Sequence, residues 1–495
     1  MDAKFWPQKL GNVLPAQVVL RPKPCPSILR SAAILLLTLI LALTLLSSRF
    51  GRLDNSRTFY HNVKAVQDVC IDVINRTASY AGHLGLDGDS DKTPKRSFFW
   101  YFEAEEEPNS APLILTIGGG PGTSAMMNAL WGQSPCLASE SGLVPNPNRW
   151  TQRHNLIALD HPVGVGFSYG TQVNNSRSAA YDVYDFLQKF FILFPHLAKN
   201  KFVVSGGSYG GIYVPNIATV IHEQNLLLAN GGGNLGAVHI HLDALILSNP
   251  LTNPMSHFSW FLHYRCVDHA LYNTTQCETH YAELPVCLES IQMAFDVPTL
   301  ANRLVSQELC WKLQDDLHGI NQEDIRRTCN EDPDDPIGCH KEFTWVKSIL
   351  DDDTVRRGLG IAHNLTFTSL NLDVNAKFGA NGDVLRPHHL MYPPLLEAGI
   401  RLLHYVGTED ANCAWPGVFS FLKLLSTPFQ QAFLTAPDVP WPNGTKDVAT
   451  VRTVGEGAGN MAFILVREAG HFTVKDQPAL AKKIVEHWIA NEPFF

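Results

Sequence analysis

Residues Gly206-Gly207-Ser208-Tyr209-Gly210 follow the short apolar run Phe202–Ser205 and precede a helical pattern starting at Ile212. A serine between glycines at a strand-to-helix turn is held above the strand ends, where its hydroxyl can attack an acyl carbon. A hydroxyl is a weak nucleophile by itself, so the reading requires a histidine base and an acid that orients it, downstream in the order serine, acid, histidine. Of 20 histidines, His471 stands out, because it follows the run Ala462–Val466 and precedes a final helical pattern. Asp410 holds the matching place after the run Arg401–Val406, with Glu409 as a rival for the acid. Upstream, Thr116 to Gly122 ends a strand with four glycines around Pro121. No Lys-Ser/Thr follows it, which argues against a phosphate loop. Backbone amides approaching an oxyanion fit better, and the expected pair is Gly120 and Tyr209. The chemistry implied is acyl transfer through Ser208, His471 and Asp410, and it needs no metal and no cofactor.

The elements that must carry these residues are legible as periodicities. Short apolar runs at Pro112–Ile117, Asn155–Leu159, Phe202–Ser205, Leu242–Leu247, Arg401–Val406 and Ala462–Val466 predict buried strands. Helical patterns at Ala179–Phe194, Ile212–Gln224 and Pro478–Ala490 lie between or after them. This alternation predicts an α/β fold with a mostly parallel central sheet. Residues 254–370 break the rhythm. They hold six cysteines and the acidic runs Glu331–Asp335 and Asp351–Asp353, and they predict an inserted, disulfide-tied helical cap. The acidic runs are read as solvated loops rather than cation sites. The expected division is a leader (1–30), a membrane segment (31–48), a core (60–253 and 371–495) and the cap (254–370).

The 495 residues include 38 Lys plus Arg against 47 Asp plus Glu, a formal charge of −9, with 45% hydrophobic residues. That apolar content excludes a disordered chain, and the acidic balance argues against nucleic acid as a partner. Residues 1–48 carry five cations and one anion, so the remainder stands at −13. Ser31 to Ser48 is uncharged and apolar; as a helix it is about 27 Å long, near the ~30 Å of a bilayer core. The long basic leader and the missing A-x-A favour a signal-anchor over a cleaved signal, with the body outside the cytosol. If the segment is cleaved, the body is secreted. Cysteine usage agrees: Cys25 lies in the leader and nine others follow, an odd number that leaves one thiol over in an oxidising compartment. No C-x-x-C supports zinc. Asn75, Asn174, Asn273, Asn364 and Asn443 are glycosylation sequons.

The chain resembles the serine carboxypeptidase family. The resemblance rests on Gly119–Gly122, Asp160–Tyr169, Gly206–Gly211, Ser248–Pro254, Asp410 with Cys413 and Trp415, and Gly470-His471 with Asp476–Pro478, all in the family's order. It implies an α/β-hydrolase fold with a cap, the triad Ser208–Asp410–His471, and peptide or protein C-termini as substrates. It also implies that Cys413 is an unpaired thiol near the site, leaving eight cysteines for four bridges. The family holds the substrate carboxylate with a Trp-x-Asn, a Glu before the nucleophile, and a second Glu, and its paired acids share a proton at low pH. Those positions are Thr116, Gly118, Gly207 and Gly132 here, so the usual carboxylate grip is missing. Arg265 is a candidate replacement. Three functions follow: a carboxypeptidase; an esterase, amidase or acyltransferase on the same triad; or a non-catalytic binding domain.

Overall fold

The computed structural model describes residues 59–66, 69–70, 78–317, 319–329, 339–442 and 448–495. The leader, the segment 31–48, the acidic run 331–335 and the sequons Asn75 and Asn443 lie outside the described residues. Among the described residues, no helix is long and apolar enough to cross a membrane.

A twelve-stranded sheet organises the chain. Its centre is six parallel strands in the order Asn155–Leu159, Leu113–Ile117, Phe202–Ser208, Leu242–Pro250, Arg401–Gly407 and Met461–Val466. Strands Leu113–Ile117, Asn155–Leu159, Arg401–Gly407 and Met461–Val466 are buried at every residue, as required where helices cover both faces. The mostly parallel centre expected from the sequence is present, within a sheet that is mixed as a whole. Tyr60–Ala65, Ser79–Gly85 and Lys95–Phe102 add antiparallel at one edge, and Ala449–Val454 and Val439–Trp441 at the other. The outermost strands are hard to read in the sequence, because an edge strand needs only partial cover and so lacks a continuous apolar run. Tyr60–Ala65, for example, has no fully buried residue.

Two cores flank the sheet. Alternate residues of Lys95–Phe102 feed them: Phe99 and Tyr101 face one, and Phe98, Trp100 and Phe102 the other. Helix Ser176–Leu193 covers the first with Ala179, Val183, Phe186, Leu187 and Phe190, and starts on the Asn175 side chain, which accepts from the Ser178 amide. Helix Pro478–Ala490 covers the second and has proline at its first turn.

Between Pro250 and Arg401 the described residues include no sheet strand and are dominated by helices, including Pro254–His263, Thr274–Asp296, Leu300–Trp311, Lys341–Asp351 and Leu372–Ala380. Disulfides Cys266–Cys277, Cys287–Cys310 and Cys329–Cys339 tie this region, and Cys70–Cys136 ties the core. Cys413 is the free cysteine among the described residues. Asp352 is a helix cap, its carboxylate accepting from the Thr354 and Val355 amides.

Candidate active site

Ser208, Asp410 and His471 each stand at or just beyond the carboxyl end of a central strand, which is where open α/β sheets assemble their sites. Ser208 is the last residue of Phe202–Ser208, and its φ of 57° places a non-glycine residue in the left-handed region. Helix Gly210–Ala229 begins two residues later. A Cβ on Gly210 would meet nothing closer than 3.8 Å, whereas one on Gly207 would lie 2.9 Å from the Ser248 carbonyl oxygen. On the facing loop, a Cβ on Gly119 would lie 2.8 Å from the Ser208 Cβ and 3.1 Å from the Tyr209 nitrogen. Only a glycine lets this backbone come so close to Ser208. Gly120 lines the same cavity.

Asp410 follows Arg401–Gly407 and has no exposed surface. Its Oδ2 lies 2.6 Å from His471 Nδ1 and accepts from Asn249 Nδ2 at 2.8 Å. Its Oδ1 accepts from the Asn412 and Cys413 amides at 2.8 and 3.0 Å. Four donors thus satisfy a buried carboxylate and fix its plane. Glu409 is engaged elsewhere, accepting from the Thr408 hydroxyl.

Three contributors were invisible to sequence reasoning. Asn249, at φ 44°, donates to Asp410, while its Oδ1 accepts from the Thr473 hydroxyl and the Gly407 amide. It lay inside the Ser248–Pro254 stretch, but spacing assigns it no role. The second is the segment Gln322–Ile325. It accepts from Ala411 N at the Gln322 carbonyl and from His471 N at the Glu323 carbonyl, and Ile325 N donates to Glu409 O. One strand-free segment therefore stitches the acid loop to the histidine loop. The third, Gln133, is a buried side chain on the cavity wall.

Burial alone would lower the His471 pKa, but the Asp410 charge, the Asp410 hydrogen bond and the Glu323 charge outweigh it and raise it. Burial, with Asp410 and Glu323, pushes the Cys413 thiol well above its ordinary range, so the thiol beside the triad stays protonated. His471 must be neutral to accept a proton, so the rising limb of kcat/KM follows its raised pKa. Glu323→Gln removes one anion, lowers that pKa and moves the limb to lower pH, read from kcat/KM across about pH 5 to 10. A limb that stays in place or moves upward contradicts this coupling.

The cavity has a volume of about 270 Å³ and is walled by Ser208, His471, Gly207, Gln133, Phe472 and Glu323, among others. Among the described residues, no lysine or arginine lines it. Of the positions where the family's carboxylate-holding side chains are missing, Gly207 lies on the wall, while Thr116, Gly118 and Gly132 do not. Thr116 is fully buried in its strand. A Cβ on Gly118 would lie 1.9 Å from the Thr123 carbonyl oxygen, and one on Gly132 2.7 Å from Val474 Cγ2. Arg265 is also placed elsewhere. It is buried, donates to the Ala411 carbonyl and the Tyr272 hydroxyl, and stacks 3.8 Å from the Phe261 ring centre.

Comparison with known proteins adds the decisive observation: a serine carboxypeptidase family model matches residues 72–491. The chain belongs to the serine carboxypeptidase family. Carboxypeptidase Y of Komagataella phaffii is 30% identical over 430 residues, covering 85% of this chain and 77% of that protein. Carboxypeptidase Y homolog A of Neurospora crassa is 29% identical over 456 residues, covering 90% and 77%. A solved structure of a prohormone-processing carboxypeptidase from Saccharomyces cerevisiae shares the fold, with a TM-score of 0.72 at 22% identity, over 88% of this chain and 96% of that one. As a serine carboxypeptidase, the chain carries an α/β-hydrolase core, and its serine, acid and histidine fall within the matched span.

Proposed function

We propose that this serine carboxypeptidase releases C-terminal residues from peptides through an acyl-enzyme on Ser208. The carrying observation is the buried Asp410 carboxylate held by four donors with His471 as one of them. Ser208 Oγ attacks the scissile carbonyl carbon as His471 Nε2 takes its proton, and Asp410 stabilises the imidazolium. The amides of Gly120 and Tyr209 receive the oxyanion. Collapse breaks the C–N bond, and His471 returns the proton to the departing amine. Water, deprotonated by His471, then cleaves the ester and restores Ser208. The relatives named carboxypeptidase Y support peptide C-termini as the substrate class.

Four disulfides support folding in an oxidising, secretory compartment. We place the catalytic body on the lumenal or extracellular side, tethered through residues 31–48, with residues 254–370 as a cap. Asn174, Asn273 and Asn364 are exposed and suit glycosylation.

The cavity's lack of lysine and arginine favours one second reading, an esterase, amidase or acyltransferase that needs no free carboxylate. Blocked dipeptides with free, amidated and esterified C-termini separate the two. Release of the terminal amino acid from the free acid, faster than from the amide, is the expected result. Turnover of esters and amides with free acids ignored sinks the exopeptidase reading. Absence of fluorophosphonate labelling at Ser208 sinks both and leaves a binding domain.

A further inference from the structure

A groove of about 470 Å³ lies at the amino ends of strands Phe202–Ser208 and Leu242–Pro250, opposite to the end that carries Ser208. Residues 239–242 form one wall, and side-chain amides from two helices clamp the backbone there. Gln188 of helix Ser176–Leu193 grips Val238, its Nε2 donating to the carbonyl at 3.0 Å and its Oε1 accepting from the amide at 2.7 Å. Asn225 of helix Gly210–Ala229 grips Ile240 in the same way, at 2.8 and 3.0 Å. Phe202 N donates to the His241 carbonyl at 2.8 Å, and Ile240 has no exposed surface. Few surface segments are held at so many consecutive residues.

With Ile240 turned inward, its neighbours of opposite parity turn outward. His239 and His241 are exposed, and their ring centres stand 4.8 Å apart. Among the described residues, neither imidazole has a hydrogen-bond or ion-pair partner. Burial and the adjacent His241 lower the His239 pKa, which keeps its lone pair available at neutral pH. The other titratable groups of the groove are His222, Lys201 and Asp243. Asp243 is engaged by Lys201 at 3.8 Å and by Arg401 at 2.5 Å, so it offsets the lysine charge and the imidazoles are the free ligands. A metal–nitrogen bond of about 2.1 Å puts an ion about 3.2 Å from an imidazole centre, so rings 4.8 Å apart subtend roughly 100° at a shared ion. That angle lies between octahedral and tetrahedral geometry. The pair is separate from Asp410, Cys413 and His471, whose ligand atoms also lie close together but are buried in the catalytic site.

We propose that His239 and His241 form a bidentate surface site for one borderline divalent transition-metal ion, Cu²⁺ most tightly and Ni²⁺ or Zn²⁺ more weakly, with water in the remaining positions. The site is independent of the exopeptidase reading, because it stands at the opposite strand ends from Ser208. The clamped backbone lowers the ordering cost that two mobile histidines would meet on binding. Two imidazoles with no free carboxylate suit borderline ions and give Ca²⁺ or Mg²⁺ none of the oxygen ligands they require. Protons compete for the same nitrogens, so the ion is released as pH falls below about 6.

The test titrates Cu²⁺ into the full chain, His239→Gln and His241→Gln at about pH 7.5, followed by calorimetry and electron paramagnetic resonance. The wild type is expected to bind one ion with the spectrum of two imidazole nitrogens, and each variant to bind that ion at least about tenfold more weakly. A second measurement needs no variant: in the wild type, Cu²⁺ should shield His239 and His241 from diethyl pyrocarbonate, read by peptide mass spectrometry, and this decides if a variant fails to fold. Lowering the pH to about 5 should release the ion. Wild-type affinity in either folded variant overturns the site, as does an unchanged rate of modification of the two rings with Cu²⁺ present. Retention of the ion at the lower pH, or its displacement by an equal concentration of Ca²⁺, overturns it as well, since neither fits a pair of imidazole ligands.

Discussion

Ser208→Ala is expected to lower kcat by about four to six orders of magnitude and to abolish fluorophosphonate labelling, with the thermal midpoint nearly unchanged. The size follows from the position of the hydroxyl. Ser208 ends a strand of the central sheet at φ 57°, beside a glycine loop too close for any Cβ at residue 119. No other serine on the cavity wall stands at this turn, so removal of the hydroxyl leaves His471 with nothing to deprotonate except water. Stability separates catalysis from scaffolding. Alanine retains the left-handed strain of serine, roughly 1–3 kcal/mol, whereas Ser208→Gly relieves it. The glycine variant should be equally inactive yet melt higher than the alanine variant by circular dichroism. Retained turnover in either variant removes Ser208 as nucleophile.

The same turn marks how far the sequence could be read. The six central strands were legible because burial on both faces demands uninterrupted apolar runs. The carboxyl ends of two of them were not. Phe202–Ser208 continues through Gly206 and Gly207, and Leu242–Pro250 through Ser248 and Asn249, because ladder pairing with neighbours holds residues that have no strand preference of their own. Those extensions carry the chemistry. Ser208, Asp410 and His471 could be found because each follows an apolar run at a sheet edge. Asn249 could not, since its role arises from a left-handed backbone that aims its amide across two strands. Glu323 and Gln133 lie where no period operates, one in a cysteine-rich insertion and the other in a turn held by Asn146. Arg265 illustrates the converse. Charge suggested a carboxylate clamp, but the guanidinium is consumed by the Ala411 carbonyl and two aromatic rings.

The second large effect belongs to Asp410→Asn, expected to reduce kcat/KM by about four orders of magnitude. An amide matches the carboxylate in shape but not in hydrogen bonding. If its oxygen faces the Asn412 and Cys413 amides, its NH2 group points at Asn249 Nδ2 and His471 Nδ1. The imidazole must then accept at Nδ1, which puts its proton on Nε2, where it cannot receive one from Ser208. If the amide flips, its NH2 group meets two backbone N–H donors instead. Either arrangement leaves buried donors unpaired, costing about 1–3 kcal/mol each, so this variant should also melt lower than the wild type. Loss of the negative charge removes the main influence raising the His471 pKa. The informative readout is the rate of fluorophosphonate labelling beside the melting curve. Labelling should slow by orders of magnitude while a cooperative transition persists. Labelling at the wild-type rate would mean that His471 is oriented without Asp410, and the four-donor cradle would then be a stabilising device rather than part of the catalyst.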